Sequence, residues 1–230
     1  MRLLLPCLLL LLLSTSLFGQ QSKSFDLSHF DRVRVEGSFE VSIQPGPFSI
    51  TARGEGERFD ALKLSLHGHV LIIEEERDWW EALNVLNKEK VYVDITMPAF
   101  AGVDASGAGQ IQIQGPFTSP LVQIDLSGAA DCHATFGTDL LEAEVSGAGN
   151  LFLAGSAGRA TIELSGAGDL HAYPLSVATL EIEVSGAGTA EVTATESLEA
   201  EASGAGTIRY AGNPHSVMTE VSGAGKIIPR

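Results

Sequence analysis

Glu142-Ala143-Glu144-Val145-Ser146-Gly147-Ala148-Gly149-Asn150-Leu151-Phe152-Leu153 carries the design of the chain in twelve residues. Apolar and polar residues alternate on both sides of a Ser-Gly-Ala-Gly corner, the period-two pattern of strands with one buried face. The corner recurs at Ser106, Ser127, Ser146, Ser165, Ser185, Ser203 and Ser222, at steps of 21, 19, 19, 20, 18 and 19 residues. One copy departs from the pattern, reading Ser127-Gly128-Ala129-Ala130. A repeat of this length is one supersecondary unit stacked on itself.

Working outward, the flanks form columns. Three residues before each Ser stand Val103, Ile124, Ala143, Ile162, Ile182, Ala200 and Thr219. Five after it stand Ile111, Cys132, Leu151, Leu170, Ala190, Ile208 and Ile227. Each unit therefore reads as strand, tight corner, strand and a looser return, such as Gly155-Ser156-Ala157-Gly158 or Tyr173-Pro174-Leu175-Ser176. A hairpin meander conflicts with the parity of this pattern. It would oppose the apolar residue before Ser to Gln110, Asp131, Asn150 or Asp169 on one sheet face, unless a bulge intervened. A parallel stack carries no such conflict. The expected fold is all-β: a single-chain parallel β-helix or β-solenoid, right-handed, with rungs of about 19 residues.

The corner glycines have two structural uses, positive φ and close stacking of neighbouring backbones. Phosphate cradling would need a strand-to-helix context and a following Lys with Ser or Thr, which are absent here. The calcium-binding nonapeptide of other solenoids is absent too.

Residues 1–19 read as a secretory signal peptide, with Arg2, an apolar run from Leu3 to Leu13, and a cleavage region ending at Gly19 or, alternatively, Ser16. The apolar run is too short to span a bilayer, so no membrane span is expected. Residues 25–101 should form irregular first rungs and a β cap over the open end of the stack. In this part Arg34-Val35-Glu36-Gly37-Ser38-Phe39-Glu40-Val41-Ser42-Ile43 repeats the later pattern with a degenerate corner. Residues 102–230 continue it as the regular solenoid, in one domain with 25–101.

The charge of −15 makes nucleic acid a poor partner and a bare anionic membrane little better. Much of it lies in one column. Asp104, Asp125, Glu144, Glu163, Glu183, Glu201 and Glu220 each stand two residues before a corner Ser, an acidic ladder on the outer face. Rungs about 4.8 Å apart would set neighbouring carboxylates against each other by about 1 kcal/mol in water, and by more near protein. Two relaxations are open: the side chains splay into solvent, or Ca²⁺ bridges them, since oxygen-only ligands suit that ion.

Other candidates are weaker. His133 and His171 share an outward column but are two rungs apart, roughly 10 Å, too far for one ion. His67-Gly68-His69 reads as a turn. Cys132 falls on an inward column and reads as a buried thiol. Trp79 and Trp80 sit in an acidic insertion, as a cover for the solenoid end or as a platform for sugar rings. No nucleophile elbow or cleft-borne acid pair marks an enzyme, and only Arg159, Arg209, Lys226 and Arg230 are basic from residue 103 onward.

Three stretches carry a family resemblance: Phe30-Asp31-Arg32-Val33-Arg34-Val35-Glu36-Gly37, Val91-Tyr92-Val93-Asp94-Ile95-Thr96-Met97-Pro98 and Val103-Asp104-Ala105-Ser106-Gly107-Ala108-Gly109. Together they resemble the head GIN domain ascribed to autotransporter adhesins. The resemblance implies a secreted bacterial protein in the periplasm, on the outer-membrane surface or outside the cell, with an adhesive role and no catalytic residues. The expected function is non-enzymatic binding of a glycan or an envelope protein through a rigid acidic surface. Two alternatives are a scaffold whose solenoid ends associate into a homo-oligomer, and a carbohydrate-active enzyme.

Overall fold

A computed structural model describes residues 21–76 and 90–230. The signal segment and Trp79–Trp80 lie outside the described residues. The repeat region is a parallel stack in register, as its columns require. Strand β8 (Gly102–Ala105) leads into the first Ser-Gly-Ala-Gly corner, and β9 (Gln110–Leu126) leaves it. From there β10 (Asp131–Val145), β11 (Leu151–Leu164), β12 (Leu170–Val184) and β13 (Thr189–Ala202) each run from one corner to the next. Beyond them β14 (Thr207–Ala211) and β15 (Ser216–Val221) together make one further corner-to-corner unit, and β16 (Lys226–Pro229) begins the next, pairing with β14.

Each strand pairs in parallel with its equivalent one coil away. Ile111, Cys132, Leu151, Leu170, Ala190, Ile208 and Ile227 are successive register partners. This parallel pairing excludes the meander. Inward columns from Val103 to Ile208 are buried in one continuous core. Each fully buried Leu or Ile contributes on the order of 1.5–3 kcal/mol of transfer free energy. The returns differ from expectation. Gly155–Gly158 and Tyr173–Ser176 lie within β11 and β12, as bends in continuous strands. Register shifts mark the bends between Phe152 and Gly155 and between Ala172 and Ser176, which is how a bulge turns a strand without ending it.

The corner glycines serve close approach more than conformation. A Cβ on Gly147 would lie 1.9 Å from the Gly128 carbonyl oxygen, and one on Gly149 would lie 2.0 Å from that of Ala130. Only in the last two corners do Gly204 and Gly223 take positive φ, 70° and 68°.

The N-terminal part departs from chain order. β2 (Arg32–Glu36) lies between β6 (Val70–Glu75) and β8, while β3 (Glu40–Pro45) lies between β7 (Tyr92–Met97) and β9. The chain thus enters in the second coil, builds the outermost coil over it from β6 and β7, and re-enters beneath with β8. Antiparallel strands close this end. β4 (Ser49–Gly54) pairs with β7, β1 (Gln21–Phe25) pairs with β4, and β5 (Leu62–His67) pairs with β6. A short helix, α1 (Gly56–Asp60), presses Phe59 into the core.

Candidate functional site

The acidic column survives folding as one stripe. Asp104, Asp125, Glu144, Glu163, Glu183, Glu201 and Glu220 are consecutive register partners across β8 to β15. Alternation fixes their direction: Ile124, Ala143, Ile162 and Ile182 point into the core, so the acids one residue later point out. Glu144 to Glu220 are exposed.

Arg34 heads the stripe. Its partner in β8 is Asp104, and Arg34 Nε donates to Asp104 Oδ2 at 2.7 Å. Below this pair, burial and the neighbouring Asp104 charge raise the Asp125 carboxyl above its ordinary 3.8, and Arg34 pulls it partly back. In the adjoining outward column Arg32 donates to Gln123, whose amide donates in turn to Glu142. The two columns frame an open groove of about 450 Å³, lined among others by Arg32, Arg34, Asp104, Asp125, Gln123, Glu142, Glu144 and Glu163. Its head is cationic and its length anionic.

Arg34 and Arg32 went unread as site residues because 70 residues separate Arg34 from Asp104. The signal existed in the degenerate repeat: superposing Val35-Glu36-Gly37 on Ala105-Ser106-Gly107 sets Arg34 at the head of the acidic column. Among the described residues, no group of three or more His, Cys, Asp or Glu side chains converges to hold a metal ion.

The remaining candidates take definite positions. His133, Phe152 and His171 form a stack along the outer face. Ring centroids are 4.1 Å apart at 2° between His133 and Phe152, and 4.7 Å apart at 18° between Phe152 and His171. Both faces of Phe152 are thereby used, leaving ring edges toward solvent. His171 Nδ1 lies 3.1 Å from Glu191 Oε2 in the next coil. His67 and His69 flank the turn between β5 and β6, where Gly68 takes φ 62°. Cys132 is fully buried, and burial pushes its thiol up to about 12. A second polar column stitches the corners: the Asn150 side chain donates to Asp131 Oδ1 at 2.8 Å, and the Thr189 amide donates to Asp169 Oδ1 at 2.8 Å.

The family described as "Putative auto-transporter adhesin, head GIN domain" matches residues 29–214. The chain belongs to this head GIN domain family. No protein with a curated description matches the sequence. Among solved structures, a "putative adhesin" from Bacteroides fragilis superposes with a TM-score of 0.83 at 20% identity, covering 93% of this chain and 98% of the other. A "putative adhesin" from Parabacteroides distasonis gives 0.74 at 20% identity, over 92% and 97%. A "putative lipid binding protein" from the same species gives 0.68 at 17% identity, over 93% and 97%. These likenesses show that the head GIN fold is shared. No helix among the described residues is long and apolar enough to cross a membrane.

Proposed function

We propose that this head GIN domain is a non-enzymatic, secreted or envelope-associated binding protein of the adhesin type. Its contact face is the groove along the acidic ladder. The single observation that carries this reading is the in-register stripe from Asp104 to Glu220, headed by Arg34, on a rigid parallel stack. Such a stripe repeats one charge at a spacing of about 4.8 Å. It therefore favours a partner with its own regularly spaced cationic groups, whether on an envelope protein or on an amino-bearing glycan. Family membership and the adhesin-named neighbours support the same class.

The test is an array of glycans and envelope proteins probed with the whole exported chain at low and high salt. The triple variant E144Q/E163Q/E183Q serves as comparison. Binding that falls with salt and is lost in the variant supports the ladder as contact face. Binding that the variant retains in full removes it.

A further inference from the structure

The N-terminal coils meet the repeat at a seam narrower than the joint on either side of it. Here β2 pairs with β8 over Arg32–Val35 and Gly102–Ala105, and β3 pairs with β9 over Glu40–Ile43 and Gln110–Ile113. Farther along β9, Phe117–Val122 pair with β10 on one side and with no strand on the other among the described residues. The contact there is side-chain packing, with Phe100 in the link from β7 to β8 set against Phe117, ring centroids 5.5 Å apart. One coil further on, β9 and β10 pair from Gln110–Asp131 through to Leu126–Val145. The corner at the seam also lacks a bond. The Ala129 and Ala148 amides donate to the Gly107 and Gly128 carbonyls, whereas the Ala108 amide donates to no backbone carbonyl among the described residues.

The inserted coil is held more firmly on its other side. β2 pairs with β6 over the whole of Arg32–Glu36, and β3 with β7 over the whole of Glu40–Pro45. Backbone bonds extend this joint, the Glu40 amide donating to the Val91 carbonyl and the Gly46 amide to the Met97 carbonyl, each at 3.0 Å. Arg58 donates to the Ser38 carbonyl at 2.7 Å, and Lys90 donates to Glu40 at 2.8 Å. β1 hangs on β4, β4 on β7, and β5 on β6. Strands β1 to β7 therefore make one body, and the inserted coil belongs to it rather than to the repeat. Two side-chain bonds cross the seam on the outer face: Arg34 to Asp104, and Arg32 to Gln123. All four residues line the groove.

We propose that this seam is a latched joint: strands β1 to β7 open from the repeat as one cooperative unit while β10 to β12 stay folded, and the Arg34–Asp104 and Arg32–Gln123 bonds are the latch. The stability of a stack is a sum over its coils and the interfaces between neighbours, so it parts where an interface is least. A segment joined by fewer backbone bonds opens at a lower free energy than the stack as a whole. The cationic head of the groove lies on one side of the seam and its acidic length on the other. Opening therefore dismantles the groove, and a partner spanning both sides holds the seam shut by binding only the closed state. This goes beyond the binding face proposed above and is tested with no partner present.

Native-state hydrogen exchange on the whole exported chain, followed amide by amide at rising sub-denaturing urea, tests the proposal. In the wild type, amides of β2, β3, β6 and β7 should converge on one opening, with a lower free energy and a smaller urea slope than those of β10 to β12. Arg34→Gln should make that opening about two- to fivefold more frequent, the range for an ion pair whose side chains are 42% and 40% exposed. Exchange in β10 to β12 should not change. A disulfide between the register partners Ser42 and Gln112, introduced as S42C/Q112C, should slow exchange in β2 and β3 at least about tenfold, and reduction should restore the wild-type rate. One opening shared from β2 to β12 in the wild type overturns the proposal, as do separate openings for the β2/β3 and β6/β7 coils. So does an Arg34→Gln protein whose N-terminal strands exchange as before or whose β10 to β12 loosen equally, or exchange indifferent to the cross-link.

Discussion

Replacing Gly166 by Ala tests whether the corners are held by close backbone approach. The added Cβ would stand 1.9 Å from the Gly147 carbonyl oxygen and 2.8 Å from that of Ser146. A comfortable carbon–oxygen contact is roughly 3.3 Å, so the two corners must part by about 1.4 Å. That movement breaks the Ala167 N–H to Gly147 bond, now 3.0 Å, and strains the Ser165 N–H to Val145 bond, also 3.0 Å. Two such backbone bonds are worth about 2 kcal/mol net. Overpacking of the adjoining coils adds roughly 1–3 kcal/mol. The expected loss is therefore about 3–5 kcal/mol, read as a drop of at least about 1 M in the urea midpoint for a slope near 3 kcal/mol per M. Gly137→Ala is the internal control. Its Cβ would meet only Ser156 Oγ, at 3.7 Å, and its φ is not positive, so stability should hold or rise by up to about 1 kcal/mol. Gly204→Ala should fall between the two, because its cost is a left-handed φ of 70° with the nearest oxygen at 2.9 Å. A Gly166→Ala protein within about 1 kcal/mol of wild type would refute the close-approach argument.

Three further predictions concern charge and burial. The raised Asp125 carboxyl should cost stability as pH rises above its ordinary 3.8, because the folded state holds the proton more tightly than the unfolded one. Asp125→Asn should therefore melt higher than wild type at neutral pH, with the gap closing below that value; a gap independent of pH would contradict the assignment. Glu163→Gln, in the middle of the ladder, should raise the melting temperature at low salt and lose that advantage as salt screens the column. Calcium that stabilises wild type beyond sodium chloride of matched ionic strength would mean that the ladder relaxes by bridging, and no excess would leave splaying as the mechanism. Cys132, with its thiol at about 12, should resist alkylation at pH 8 until the core opens, so labelling as fast as that of an unfolded control would show that it is not buried.

How much of this was legible in the sequence depends on whether a residue's partner lies one period away. Inward and outward columns beside the corners from Val103 to Val221 could be written down before folding, because their register partners sit 18 to 21 residues along the chain; only at the bend of β12 does the step fall to 17, from Ser176 to Thr193. The acidic ladder was legible for the same reason. The N-terminal part obeys the same stacking without the same spacing. β2 and β3 find β8 and β9 about 70 residues later because β4, α1 and β5 to β7 are built outward in between. No periodic reading supplies that detour, and Arg34 stayed hidden at the head of the ladder with it. The role of the corner glycines was equally indistinct: a Ser-Gly-Ala-Gly string is compatible with positive φ and with close packing, and only coil-to-coil distances separate them.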